Sequence, residues 1–354
     1  MASATPAELL FYAPGLLGPY AGQAHWPASD WPVLPRLEKF LSRADVLAPP
    51  HPVNDVTAAD DYAALFTYFN LQSDPRAATQ PLAALCLLAE GQDPGEACWM
   101  RLDPVCLQAD RVDAVLIAHE ALALTEVEAD ALQASLRPLL EEDALELHCT
   151  TPQHWYVRLP ATPALTTTPL RQMMGQPISR GMPQGAARRH WHRFMNEVQM
   201  LWHNHPVNQQ REQQGQLMAT SVWPWGVGSL PQKQPVDFTA VYSDELVVQG
   251  LAQHLGIDCL PLSALDSNAL HGRQLLVDFA WRERQQQGDV STWLAALADW
   301  EQGVLQDLEA RLRRDKGFTL ILDLGGPGRF RITRRTQGRW WRRTRTLAHW
   351  LPTQ

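Results

Sequence analysis

The densest run of chemistry-bearing side chains lies between Trp202 and Gly228, WHNHPVNQQREQQGQLMATSVWPWGVG, where two histidines, two asparagines and an arginine precede an apolar, tryptophan-containing stretch. His203 and His205 carry imidazoles suited to Mn or Zn, although an i, i+2 pair does not share one helical face. Capping and hydrogen bonding at a helix end is the alternative role for both. Asn208 and Arg211 form a recognition pair, because a guanidinium presents a planar fork to carboxylate or phosphate and an amide both donates and accepts. A surface ion pair of Arg211 with the adjacent Glu212 is the plainer reading. Gly226 and Gly228 permit backbone N–H groups to approach a ligand, or else serve a turn. The third glycine and following helix of a dinucleotide loop are missing.

These residues need a frame. Arg188 to His203 places Trp191, Phe194, Val198, Leu201 and Trp202 on one helical stripe, and Pro206 takes His205 out of the helical region. From Ala219 onward the pattern alternates: SVWPWGVG, DFTAVYS, a helix from Asp244 to Leu255 capped by Gly256, RQLLVDFA, a long helix and FTLILDLG, which ends at Asp323. Such alternation predicts a parallel sheet flanked by helices, with ligands at the strand ends. The long helix starts at Asp289 as N-cap and lines up Trp293, Leu297, Trp300, Val304, Leu308 and Leu312. Near the start, ELLFY (Glu8 to Tyr12) is a buried strand stopped by Ala13-Pro14-Gly15, and Pro32 to Ala44 is an amphipathic helix. His51-Pro52-Val53-Asn54 follows in a Pro- and Ala-rich stretch, before a helical pattern from Tyr62 to Phe69.

A separate α+β unit is expected from Gly91 to Arg171. It holds a strand at Val112 to Ile117, a capping box of Thr125 and Glu128, a strand at His154 to Leu159 and a linker at Pro160 to Pro169. The predicted organisation is a discontinuous core, 1–90 and 172–354, with 91–171 inserted.

A chain of 354 residues, 45% hydrophobic and 19% charged, can bury a large core. Its net charge of -8 argues against a dedicated nucleic-acid binder. The region from Arg329 to Arg345 departs from that balance, with eight arginines and no Asp or Glu after Asp323. It predicts a hairpin of RFRITRR and RWWRRTR, with Phe330, Ile332, Trp340 and Trp341 on the buried face. A surface for an anion or protein partner is the alternative. No apolar stretch approaches the roughly 20 residues of a membrane span and no signal-peptide pattern stands at the start, so no membrane association and a cytoplasmic location are expected. Five cysteines without a CxxC pair read as buried free thiols.

The run HPVNQQREQQGQLMATSVWPWGVGSLP, His205 to Pro231, resembles the RpfE-type regulatory protein family of proteobacteria. It is more distantly similar to the archaeal-type cofactor-independent phosphoglycerate mutases, whose H-P-x-N, Arg, strand and G-x-G order it reproduces. FYAPGLLGP, WMRLDP, LQADR, HWYVRLP and RWWRR carry the first resemblance along the chain. The mutase resemblance implies an alkaline phosphatase-like α/β fold, a mostly parallel sheet flanked by helices with a smaller α+β unit inserted. It also implies a two-metal site and a Ser or Thr nucleophile, and there this sequence departs. Pro14-Gly15 stands where those enzymes have Asp-Gly, Leu324 follows Asp323 where they have Asp-His, and neither Asp278 nor Asp289 has a histidine four residues on. Two divalent ions about 4 Å apart then lack their ligands. The expectation is a cofactor-free, mutase-like regulatory protein binding a small phosphorylated or carboxylate metabolite at His205, Asn208, Arg211, Gly226 and Gly228. The alternatives are an active phosphomutase or phosphatase holding Mn or Zn on His203, His205 and Asp323, and an interaction module using Arg329 to Arg345.

Overall fold

A computed structural model describes residues 6–17, 32–48, 61–71, 80–110, 113–287, 290–325 and 328–350. The chain divides into two compact units, Met1–Asn70 with Gln234–Gln354, and Leu71–Lys233. Residues 71–90 and 172–233 therefore go with the second unit, where 91–171 alone was expected. The cause is strand Ser221–Gly228: it pairs antiparallel with the long strand Cys98–Ala109 and does not join the parallel sheet. All eight of its residues are buried. A strand buried on both faces reads the same in sequence whichever sheet it enters.

In the first unit the described residues form a seven-stranded sheet in the order Cys259–Leu260, Phe238–Tyr242, Arg273–Val277, Glu8–Tyr12, Thr319–Asp323, Arg329–Thr333, Asp45–Leu47. The first five run parallel and the last two are antiparallel to their neighbours. Strand Glu8–Tyr12 lies in the middle, and its alternation sends Leu9 and Phe11 into one apolar cluster and Tyr12 to the other face. Helix Pro35–Arg43 supplies Leu37, Phe40 and Leu41 to that cluster. Its N-terminus is capped from far along the chain, since the buried Glu301 carboxylate accepts from Arg36 N at 2.6 Å and Leu37 N at 3.0 Å. An anion there meets the positive end of the helix dipole.

The expected long helix is two, Val290–Gln302 and Val304–Arg314, because Gly303 leaves the helical region at φ -98° and ψ -99°. Their apolar stripe still faces the sheet. The N-cap expected at Asp289, and the run His51 to Asn54, lie outside the described residues. The expected C-terminal hairpin is also absent from the described residues. Strand Arg329–Thr333 pairs with Thr319–Asp323 and Asp45–Leu47, then a short helix, Arg334–Gln337, starts on a Thr333/Thr336 capping box. Asp45 draws Arg331 (3.2 Å) and Arg339 (2.6 Å) inward, and the two tryptophans expected to be buried stay outside, Trp340 at 80% and Trp341 at 66% exposure.

In the second unit, Cys98–Ala109 is the central strand, with Ala114–Ala118, Trp155–Leu159 and Ser221–Gly228 as antiparallel partners. Helix Glu126–Glu142 begins at the expected Thr125/Glu128 capping box. Helix Arg188–His203 has the expected ends and buries Trp191, Phe194, Met195, Val198 and Trp202, while Leu201 points outward. Cys86, Cys98 and Cys106 are buried free thiols, Cys149 is exposed and Cys259 is half-buried. Among the described residues no helix is long and apolar enough to cross a membrane.

Candidate functional site

The loop that concentrated the sequence signal is tied into the second unit. His205 is the N-cap of helix Pro206–Gln213, where its Nδ1 accepts from Val207 N at 3.3 Å. Burial lowers its pKa, which favours the neutral ring that capping needs. Pro206 occupies the first helical turn, where a missing N–H costs nothing. Asn208 is buried and fully bonded: its amide nitrogen donates to Trp202 O (2.8 Å) and Ala219 O (2.6 Å), and its oxygen accepts from Ala219 N (3.0 Å). Arg211 is equally engaged, donating to Leu217 O, to both oxygens of Glu128 and to Leu122 O. The ion pair is thus with Glu128 of the capping box and not with exposed Glu212. Gly226 and Gly228 admit a helix, since a Cβ at Gly226 would meet Ala83 N at 2.9 Å and one at Gly228 would meet Pro81 Cβ at 2.7 Å. The groups read as ligand-facing clamp one helix end, one strand and one helix start together. His203 is exposed on the surface of this unit.

The carboxyl edge of the parallel sheet in the first unit carries a different constellation. Tyr12, at the end of the central strand, donates its hydroxyl to Asp61 O at 3.2 Å. Asp61, at the start of helix Asp61–Tyr68, receives Arg282 as a fork, Nε to Oδ2 and Nη2 to Oδ1, both at 2.9 Å. At the other end of that helix, Tyr68 donates to Asp323 Oδ2, while Gly325 N donates to Oδ1 at 2.9 Å. The Pro14 and Gly325 turns abut, a Cβ at Gly325 falling 2.7 Å from that of Pro14. The two departures from the mutase pattern therefore occupy one edge, the position at which open α/β sheets bind ligands. Burial, then the charges of neighbouring carboxylates, raises the pKa of both Tyr12 and Tyr68, so both phenols keep their protons. Burial also raises the pKa of Asp278, which follows strand Arg273–Val277, against the opposing pull of Ala280 N and Arg284.

A third cluster sits in the core of the second unit. Arg101 and Asp103, both buried on strand Cys98–Ala109, pair at 2.8 Å. Arg101 also donates to Tyr156 Oη at 3.0 Å, and the Tyr156 hydroxyl donates to Glu90 Oε2 at 2.6 Å. Asp103 takes two further donors, Trp155 N and Trp225 Nε1. At the outer end His154 Nδ1 lies 2.5 Å from Glu90 Oε1, with its ring stacked on His119. Burial pushes the Glu90 carboxyl up, but hydrogen bonds from His154, Thr150 and Tyr156 outweigh it and bring the pKa to about 2. The run W-M-R-L-D-P held the signal: a charged pair at i, i+2 in an otherwise apolar strand points both side chains to one face.

Residues for a metal are a separate matter. Among the described residues no group of three or more His, Cys, Asp or Glu is placed to hold an ion. His203 and His205 belong to the second unit and Asp323 to the first. The carboxylates at the sheet edge are held by a guanidinium, two phenols and a backbone N–H, a donor set that does not fit two divalent cations.

No protein-family model matches the sequence. The chain is 22% identical over 286 residues to a probable 2,3-bisphosphoglycerate-independent phosphoglycerate mutase of Geobacter sulfurreducens, covering 74% of this chain and 72% of that protein. It is 25% identical over 177 residues to the 2,3-bisphosphoglycerate-independent phosphoglycerate mutase of Methanosarcina mazei, covering 44% of this chain and 45% of that one. Among solved structures it is similar to the PH0037 protein from Pyrococcus horikoshii, with a TM-score of 0.50 and 13% identity over 94% of this chain and 88% of that one. It also matches a cofactor-independent phosphoglycerate mutase from Thermoplasma acidophilum, with a TM-score of 0.41 and 13% identity over 93% and 90% of the two chains. The chain is remotely similar to the cofactor-independent phosphoglycerate mutases, and its fold is the mixed α/β, alkaline phosphatase-like one, with a mostly parallel sheet flanked by helices.

Proposed function

We propose that the chain is a phosphoglycerate mutase-like protein that has exchanged two-metal catalysis for a regulatory, small-anion-binding role in the cytoplasm. The observation that carries this reading is the Arg282 fork on Asp61 beside the Tyr68–Asp323 bond. A guanidinium already neutralises one of the edge carboxylates that a cation would otherwise attract. The regulatory part rests on the resemblance to the RpfE-type family, carried by runs that include the WMRLDP and HWYVRLP strands. The ligand is a phosphorylated or carboxylate metabolite. Its contacts lie away from Asn208 and Arg211, whose hydrogen-bonding groups are engaged inside the protein.

Metal analysis of the purified chain together with a 3-phosphoglycerate to 2-phosphoglycerate assay tests this. The expected result is neither stoichiometric metal nor turnover. Stoichiometric Mn or Zn accompanied by turnover would overturn it, in favour of an active phosphotransferase with a rebuilt site. That second reading draws its support from the 22% identity to a probable mutase over 286 residues.

A further inference from the structure

The register of the sheet fixes where the arginine-rich segment lies. Strand Arg329–Thr333 runs antiparallel from Asp323 back to Thr319, so the chain from Arg334 to Trp350 leaves from the amino edge of the parallel strands. That is the end opposite Tyr68 and Asp323. There the chain folds against the last turn of helix Pro35–Arg43, with Arg345 N donating to Ser42 Oγ at 2.9 Å. Between them is a surface cavity of about 320 Å³ lined by Ser42, Arg342, Arg343, Arg345 and Trp350. Cavities that hold small ligands start at about this size.

We propose that this cavity is a binding site for a small phosphate-bearing anion, held by the guanidinium groups of Arg342, Arg343 and Arg345. Among the described residues none of the three has a carboxylate partner, and the chain has no Asp or Glu after Asp323. Two carboxylates touch this segment, Glu38 accepting from Leu347 N and Asp45 from Arg339 Nη1, and neither lines the cavity. Two of the guanidiniums are steadied without a carboxylate, Arg342 by Ala44 O at 2.8 Å and Arg345 by the His349 ring. Their charge is left for an incoming anion, with part of the ordering already done. One guanidinium fork satisfies a carboxylate, whereas three forks match the several oxygens of a phosphate group. The site does not depend on the metal-free reading of the opposite edge, because an active mutase could carry the same cavity.

The test titrates inorganic pyrophosphate into the full chain at constant ionic strength, followed by calorimetry and by tryptophan fluorescence. Saturable one-to-one binding with a Kd below about 1 mM is expected. Arg343→Ala, a change at an exposed side chain, should weaken binding about tenfold or more, the loss of one charge-assisted contact. Arg334→Ala, equally exposed and outside the cavity, should leave the affinity within about twofold. Absence of saturation up to about 10 mM, or equal losses in the two variants, overturns the assignment, the second outcome reducing it to the diffuse field of a basic surface. Because the readout is binding, failure here and failure of the metal and turnover assays are distinguishable.

Discussion

Two buried arginine–carboxylate pairs are built in opposite ways. Arg101 and Asp103 are two residues apart on one strand, so the pair is local and forms with the strand itself, and each member has further partners in the core of its unit. Arg282 and Asp61 are 221 residues apart in the chain, and folding of the sheet brings them to its carboxyl edge. The first resembles a pin through a core, ringed by Tyr156 and Trp225, over which the guanidinium lies at 4.7 and 5.2 Å from the ring centroids. The second stands where the fold puts ligands and holds one carboxylate of an edge that also contains Asp278 and Asp323. A fully enclosed pair makes its members interdependent, whereas an edge pair leaves room for solvent to compensate.

Breaking the core pair should have the largest effect. Asp103→Ala leaves Arg101 charged and enclosed, and should cost about 3–5 kcal/mol in denaturant unfolding. Next comes the loop clamp. Asn208→Ala strands Ala219 N and two carbonyls, with an expected loss of about 2–3 kcal/mol and faster amide exchange at Ala219. A loss below about 0.5 kcal/mol would show that the loop is not held by this side chain. Arg282→Ala at the edge should cost less, about 1–2 kcal/mol, since its side chain retains 11% exposure. Equal losses in Asp103→Ala and Arg282→Ala would erase the distinction between core and edge.

The smallest effect is one of pH. His119 is buried and its pKa is lowered below 6.5, so the unfolded chain takes up a proton that the folded one resists, and stability falls as pH drops through that region. Glu90 is held at about 2 against an ordinary 4.5, so its contribution is complete above 4.5 and is lost as pH falls from there toward 2. Acid unfolding of the second unit should therefore show two limbs. His119→Gln should flatten the upper and Glu90→Gln the lower, as read by stability measured from pH 7 down to the acid transition.

Local features were legible in the sequence, and features that depend on distant partners were not. ELLFY and helix Arg188–His203 have the expected ends because apolar spacing and a following proline or turn are written within the segment. The Thr125/Glu128 box needs only four residues. Nothing in SVWPWGVG tells which sheet will claim it, and that one strand moved the unit boundary from the expected 172 to 234. The same limit applies to the site. Asn208 and Arg211 have the residue types of a recognition pair, and their inward direction depends on Ala219, Leu122 and Glu128. The edge constellation at Asp61, Tyr68 and Arg282 left no local trace, since its members are joined by tertiary structure alone.

The central position of strand Glu8–Tyr12 has a consequence for the order of synthesis. Both of its neighbours, Arg273–Val277 and Thr319–Asp323, lie near the other end of the sequence. The second unit is one continuous segment, Leu71–Lys233, and is complete before either neighbour has been made. During translation the first strand must therefore wait with both hydrogen-bonding edges open while an entire unit folds after it, the circumstance in which an apolar strand is most exposed to wrong partners. Nascent chains stalled far enough beyond Lys233 for that residue to clear the ribosome exit tunnel should accordingly protect the second unit from protease and leave ELLFY accessible, and protection of that strand at this stage would show that something else covers it.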